Sequence, residues 1–135
     1  MNDSVITALF DAAALVRQNA YAPYSGFAVG AALRANNGRI YRGCNVENAA
    51  YPSGTCAEEA AIAAMIADGA KQIEMIAILG DSRAPVMPCG ACRQRIHEFA
   101  TPSTMIHAGN LAGARKSASL ADILPDSFGA GSLST

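Results

Sequence analysis

Apolar residues recur at helical spacing near the start of the chain, where Val5, Ile6, Leu9, Ala13 and Val16 share one face. Asp3 or Ser4 is placed to cap that helix. Tyr21-Ala22-Pro23 ends it, because proline biases its predecessor away from helix. The pattern then changes to extended segments. Phe27 to Leu33 is largely apolar, Asn36-Asn37-Gly38 supplies a hairpin turn, and Arg39 to Asn45 returns. Gly30 inside the first of these implies a bulge or a close approach by another backbone. Glu47 to Gly54 reads as loop, and a helix follows from about Thr55 to Ala67, closed by Asp68-Gly69. That helix is apolar nearly all round, so it is expected to be buried on most sides, within the fold or against another subunit. Ile73 to Leu79 has the length and composition of a central strand, and Gly80 to Pro85 is loop. A third helix is predicted over about Gly90 to Phe99, with a strand at Thr104 to His107. A ragged edge strand fits Asn110 to Lys116, and a short helix at Ser119 to Leu124 is stopped by Pro125. Alternating hairpin, helix, strand, helix and strand describe an α/β fold. The expectation is a three-layer α/β/α arrangement, with helices on both faces of one mixed sheet of about five strands.

The 135 residues suffice for one domain and are too few for two ordinary ones. We expect that domain at 1–125, with 126–135 as a Gly/Ser-rich tail. An apolar share of 51% with only 16% charged residues indicates a large buried fraction, part of it covered by other subunits. No apolar run approaches the roughly 20 residues of a membrane helix, and Met1-Asn2-Asp3-Ser4 lacks the basic start of a secretory signal. Cytoplasmic residence is the expectation, and there four cysteines are metal ligands or reactive thiols before they are disulfides. A net charge of −1 gives no electrostatic footprint for nucleic acid, so a nucleobase substrate would be a small molecule.

The chemistry concentrates in Thr55-Cys56-Ala57-Glu58-Glu59-Ala60 and Pro88-Cys89-Gly90-Ala91-Cys92. Cys56, Cys89 and Cys92 offer three soft ligands to one Zn²⁺ per chain and leave the fourth tetrahedral corner for water. Glu58, two residues after Cys56, stands near the metal without having to bind it. This is the three-cysteine form of the zinc deaminase signature, in which the glutamate is the general acid and base. Three thiolates give the site a net charge of −1, which the positive ends of two helices and Arg93 would help to offset.

Plainer readings exist for each feature. Thr55-x-x-Glu58 also fits a capping box. Cys89-x-x-Cys92 at a strand-to-helix junction fits a thiol–disulfide site, although that leaves Cys56 and Glu58 unexplained. Cys44 as a fourth thiolate would close the metal site and make it structural; its position at a strand end fits a small buried hydrophobe better.

Over almost its whole length the chain resembles the short, homotetrameric type of cytidine deaminase. The stretches that carry the resemblance run from Tyr24 to Leu33 and from Gly43 to Pro52, through Cys56-Ala57-Glu58 and Pro88 to Gln94, and from Leu124 to Gly129. The resemblance implies zinc-dependent hydrolytic deamination of cytidine and 2′-deoxycytidine to the uridines, with ammonia released, in pyrimidine salvage. It implies that Phe27 packs on the pyrimidine, that Asn45 and Glu47 hold the ribose hydroxyls, and that the Ala57 N–H meets the pyrimidine carbonyl. Phe128 would close over a neighbouring subunit's site, or anchor the tail to its own. A related amino-heterocycle deaminase is the nearest rival; a structural zinc module and a thiol oxidoreductase are the readings from other classes. One departure stands out. The family commonly carries arginine directly after the catalytic glutamate, and here that residue is Glu59, which is expected to turn away from the metal or pair with a cation.

Overall fold

The computed structural model describes residues 3–133. The helices are α1 at Asp3–Arg17, α2 at Ala57–Ala67, α3 at Gly90–Glu98 and α4 at Leu120–Ile123. The strands are β1 at Val29–Ala35, β2 at Ile40–Cys44, β3 at Ile73–Gly80, β4 at Met105–Asn110 and β5 at Arg115–Ser119. They form one sheet in the order β2-β1-β3-β4-β5. Only β3 and β4 run parallel, joined by the α3 crossover; the other neighbours are antiparallel. The sheet is therefore mixed and five-stranded, as the alternation of elements predicts.

Strand periodicity sends alternate side chains to two separate cores. Leu33, Ile76, Ile78 and Ile106 point to the face covered by α2 and α3, where they meet Ala61, Met65 and Ile96. Ala32, Ala77 and Leu79 point to the other face and meet Leu9, Phe10 and Ala13 of α1. Phe10, absent from the predicted face of the first helix, is 5% exposed and belongs to this core. Gly30 is where α1 lies closest to the sheet. A Cβ there would collide with the Ala13 carbonyl, so close approach, not a bulge, explains this glycine.

Of the two metal-motif helices, the first starts two residues later than expected and the second starts where expected. The second helix begins at Ala57 with Cys56 as its N-cap, and α3 begins at Gly90 with Cys89 as its N-cap. The apolar helix α2 is only partly covered within one chain: Ala63, Ile66 and Ala67 are exposed. The edge strand forms later than expected: Asn110 ends β4, residues 111–114 are turn, and β5 takes in only Arg115 and Lys116 of the expected segment. Ser119 caps α4 by accepting the Asp122 N–H at 3.2 Å.

Candidate active site

Each metal-motif cysteine stands at or near a helix start because the chain leaves extended structure there. Both caps have extended backbone, Cys56 at φ −79°, ψ 156° and Cys89 at φ −65°, ψ 168°. Cys92 follows Cys89 by one turn on the same face of α3. The contact of α2 with α3 then brings the three sulfur atoms within 4.8 Å of one another. Sulfurs around a tetrahedral Zn²⁺ lie about 3.8 Å apart, as follows from a Zn–S bond of about 2.3 Å. The donor set fits zinc in number, softness and spacing. Cys44, a half-buried free thiol, is not part of the cluster, so among the described residues the group offers three ligands and an open corner.

The electrostatics make the same case. Burial, then the Glu58 and Cys56 charges, push the Cys92 thiol up. Burial also raises Cys56, helped by the charges of Cys89 and Glu58. Burial opposes ionisation of Cys89 as well, yet hydrogen bonds from the Cys92 N–H and thiol outweigh it and hold Cys89 down. Burial and mutual charge disfavour ionising all three thiols together, and a cation among them would offset that.

Glu58 is 5% exposed on the first turn of α2. Burial raises its carboxyl above the ordinary range, against lowering by its own backbone N–H, the Cys92 thiol and Arg95. The capping-box reading of this residue fails on position. With Cys56 as N-cap the third helical residue is Glu59, and Glu59 Oε1 is the acceptor of the Cys56 N–H, at 3.3 Å. Glu58 is left free for other chemistry.

A cleft of about 290 Å³ opens over these groups. Cys56, Ala57, Glu58 and Cys89 line its floor, and Phe27, Asn45 and Glu47 line its wall. Val86 and Met87, which no sequence motif marks, complete an apolar side. Asn45 is already committed in part: its Oδ1 accepts the Val29 N–H at 2.8 Å and its amide donates to the Phe27 carbonyl at 2.8 Å. One amide hydrogen remains for a ligand. Glu47 is held by Tyr24 and Ser25, whose N–H groups donate to Oε1 at 2.9 and 3.1 Å while the Ser25 hydroxyl donates to Oε2. The Ser25 hydroxyl and N–H, with Tyr24, hold this carboxyl below its usual range, so it faces the cleft ionised. The Ala57 N–H belongs to the first helical turn, where no intrahelical acceptor exists.

Phe128, expected at a neighbouring subunit's site or as a tail anchor, and Arg93, expected beside the sulfurs, remain to be placed. Phe128 does not line this cleft; it is 59% exposed, and its carbonyl accepts from Gln94 Nε2 at 2.7 Å, which pins the tail to α3. Arg93 does not reach the sulfurs. Its guanidinium donates to the Pro88 and Ile123 carbonyls at 2.8 and 2.9 Å, so it ties the metal loop to α4. The cation beside the thiols is Arg95, with Nη1 3.5 Å from Cys92 Sγ and Nη2 3.7 Å from Glu59 Oε1. Its spacing of three residues from Cys92 on a helix is the signal that could have found it.

Residues 3–108 match the family model described as the cytidine and deoxycytidylate deaminase zinc-binding region. The chain belongs to this deaminase family. A cytidine deaminase of Sporosarcina psychrophila is 46% identical over 112 residues, covering 83% of this chain and 82% of its own. One from Halalkalibacterium halodurans is 41% identical over 112 residues, covering 83% of this chain and 85% of its own. The crystal structure of cytidine deaminase from Burkholderia pseudomallei superposes with a TM-score of 0.87 at 44% identity, covering 90% of this chain and 98% of that one. The zinc-deaminase membership and the three-thiol cluster agree, and the family's mixed five-stranded sheet is the one this chain builds. Among the described residues, no helix is long and apolar enough to cross a membrane.

Proposed function

We propose that this chain hydrolyses cytidine and 2′-deoxycytidine to the corresponding uridines, with Glu58 as the group that moves the protons. The observation that carries this reading is the buried Glu58 carboxyl against a three-thiol cluster, on the floor of a cleft walled by Phe27, Asn45 and Glu47. Cys56, Cys89 and Cys92 would hold Zn²⁺, which would supply a Lewis acid that brings the ionisation of a water close to neutral pH. Glu58 takes a proton from the water as its oxygen adds to C4 of the pyrimidine and delivers that proton to N3. It then helps the second proton reach the amino group, which leaves as ammonia while the oxygen at C4 becomes a carbonyl. Burial raises the Glu58 carboxyl, which keeps the proton-bearing form within reach during these transfers.

The remaining groups orient the ring. Phe27, 36% exposed on the cleft wall, gives the pyrimidine a flat apolar face. The unpartnered Ala57 N–H donates to the ring carbonyl, the ionised Glu47 accepts from ribose hydroxyls, and Asn45 adds its one remaining amide hydrogen.

We read residues 1–125 as the deaminase domain and 126–135 as a tail that works between subunits of a homotetramer. Exposed aromatic rings support this. Tyr24 and Tyr51, 6.0 Å apart, line a second cleft that shares Ser25 and Glu47 with the first. Phe128 projects from the pinned tail and is 59% exposed. Cytoplasmic pyrimidine salvage accords with four free cysteines and a small uncharged substrate.

Loss of cytidine ultraviolet absorbance tests the reaction. Glu58→Gln keeps the shape and should keep zinc while turnover falls roughly 10²–10⁴-fold. Near-normal turnover in a zinc-loaded Glu58→Gln protein would overturn the assignment.

A further inference from the structure

Arg95 and Glu59 lie outside the substrate cleft, yet they join the two helix ends that carry the metal ligands. On α3, Arg95 Nη1 donates to Cys92 Sγ at 3.5 Å. Its Nη2 stands 3.7 Å from Glu59 Oε1, on the first turn of α2. That oxygen also accepts the Cys56 N–H at 3.3 Å. A continuous polar path therefore runs from the Cys92 sulfur through the guanidinium and Glu59 to the backbone of Cys56.

The pair has little to offer stability by itself. The Arg95 and Glu59 side chains are 39% and 35% exposed, and ion pairs at such sites are largely screened by solvent. The sulfur contact is different in kind. Three thiolates around a divalent cation leave an excess negative charge, and a charged donor in contact with one of the sulfurs offsets part of it and fixes where that sulfur points. Arg93 supplies none of this, because its guanidinium is bonded to two carbonyls. A guanidinium suits the task because its fork lets one nitrogen face the sulfur and the other the carboxylate.

We propose that Arg95 is a positioning residue of the metal site: its guanidinium holds the Cys92 sulfur in place and offsets part of the negative charge gathered there, and Glu59 aims it by bracing it against the Cys56 helix end. Glu59, an anion close to three thiols, is then part of the site's design and not a liability in it. The inference rests on the zinc reading above, and it concerns how firmly the metal is held, not the chemistry that follows.

Zinc affinity of the purified full-length protein, measured by competition with a chromophoric chelator, tests it independently of turnover. Arg95→Gln should weaken zinc binding by about 10–100-fold, the usual effect of removing a group that orients a metal ligand. Arg95→Lys restores the charge without the fork and should recover most of that loss, which a purely steric role for Arg95 would not allow. A folded Arg95→Gln protein holding zinc as tightly as wild type overturns the proposal and leaves the zinc reading intact. A Lys variant as weak as the Gln variant overturns it too, because charge would then not matter. Should Arg95→Gln fail to fold, Arg95→Lys decides alone: zinc held within about tenfold of wild type supports the proposal, and a loss above about a hundredfold overturns it. Wild-type protein with no zinc at any chelator concentration would overturn both readings together.

Discussion

Gly43 lies on β2, away from the reacting groups, and yet its replacement by alanine should disable the site. A Cβ at this position would sit 2.5 Å from the Ala61 nitrogen, 2.6 Å from the Ala57 carbonyl oxygen and 2.6 Å from the Ala60 Cβ. These atoms are the first turn of α2, whose cap is Cys56 and whose second residue is Glu58. Cβ contacts essentially never fall under 3.0 Å and ordinary contact begins at 3.4 Å, so that turn must retreat by about 0.5–0.9 Å. Overpacking of this kind costs about 1–3 kcal/mol, and for a chain of this size each kcal/mol lowers Tm by about 3–5 °C. A displacement near 1 Å at a catalytic group costs about 10²-fold in rate. Gly43→Ala should therefore melt at lower temperature and lose about one to two orders of magnitude in kcat/KM for cytidine. Thermal melting, zinc content and the ultraviolet assay measure the three consequences. Adding Ala60→Gly should not restore the protein, because two of the three contacts are to backbone. A Gly43→Ala enzyme with wild-type Tm, zinc and kcat/KM would refute the claim that the sheet sets the position of α2.

Cys44→Ser should keep one zinc per chain and measurable activity, since this thiol lies outside the three-sulfur cluster; zinc loss on metal analysis would reveal a fourth ligand and a closed site. His107 is buried on β4 with Nδ1 2.7 Å from Ser117 Oγ, and burial holds its imidazole below the ordinary value. The unfolded chain then binds a proton that the folded one resists, so stability is full above about pH 6.5 and is lost as pH falls below it. His107→Asn should flatten the fall of Tm between about pH 7 and 5, and equal slopes in the two proteins would count against the burial argument.

Much of the site was legible because it depends on local rules. Cys56 and Cys89 are read as helix starts from residues beside them, and the structure makes both of them N-caps. The alternation of Ile76 and Ile78 with Ala77 and Leu79 gives a strand that serves two cores, while Ile73 joins the first of them across a register shift. Ser119 and Pro125 bracket α4 from sequence alone. Such signals survive translation into structure because the relevant neighbours are within about four residues, where the helix and strand periods fix geometry.

What the sequence by itself determined, then, is the ligand set, the glutamate beside it and the order of elements. The tertiary structure alone decided which cation serves the sulfurs. Arg93 and Arg95 are both near Cys92 in sequence, but packing turns Arg93 to the carbonyls of Pro88 and Ile123 and leaves Arg95 between Cys92 and Glu59. It also decided that Asn45 ties down the backbone of Phe27 and Val29, and that Phe128 stands clear of its own cleft. Most of these relations join different elements far apart in sequence, as Glu59 with Arg95, Arg93 with Ile123 and Phe27 with Asn45 do. Their distances come from how α2 and α3 seat on the sheet, a seating set by the summed fit of many side chains and by glycines such as Gly43, which no local period records.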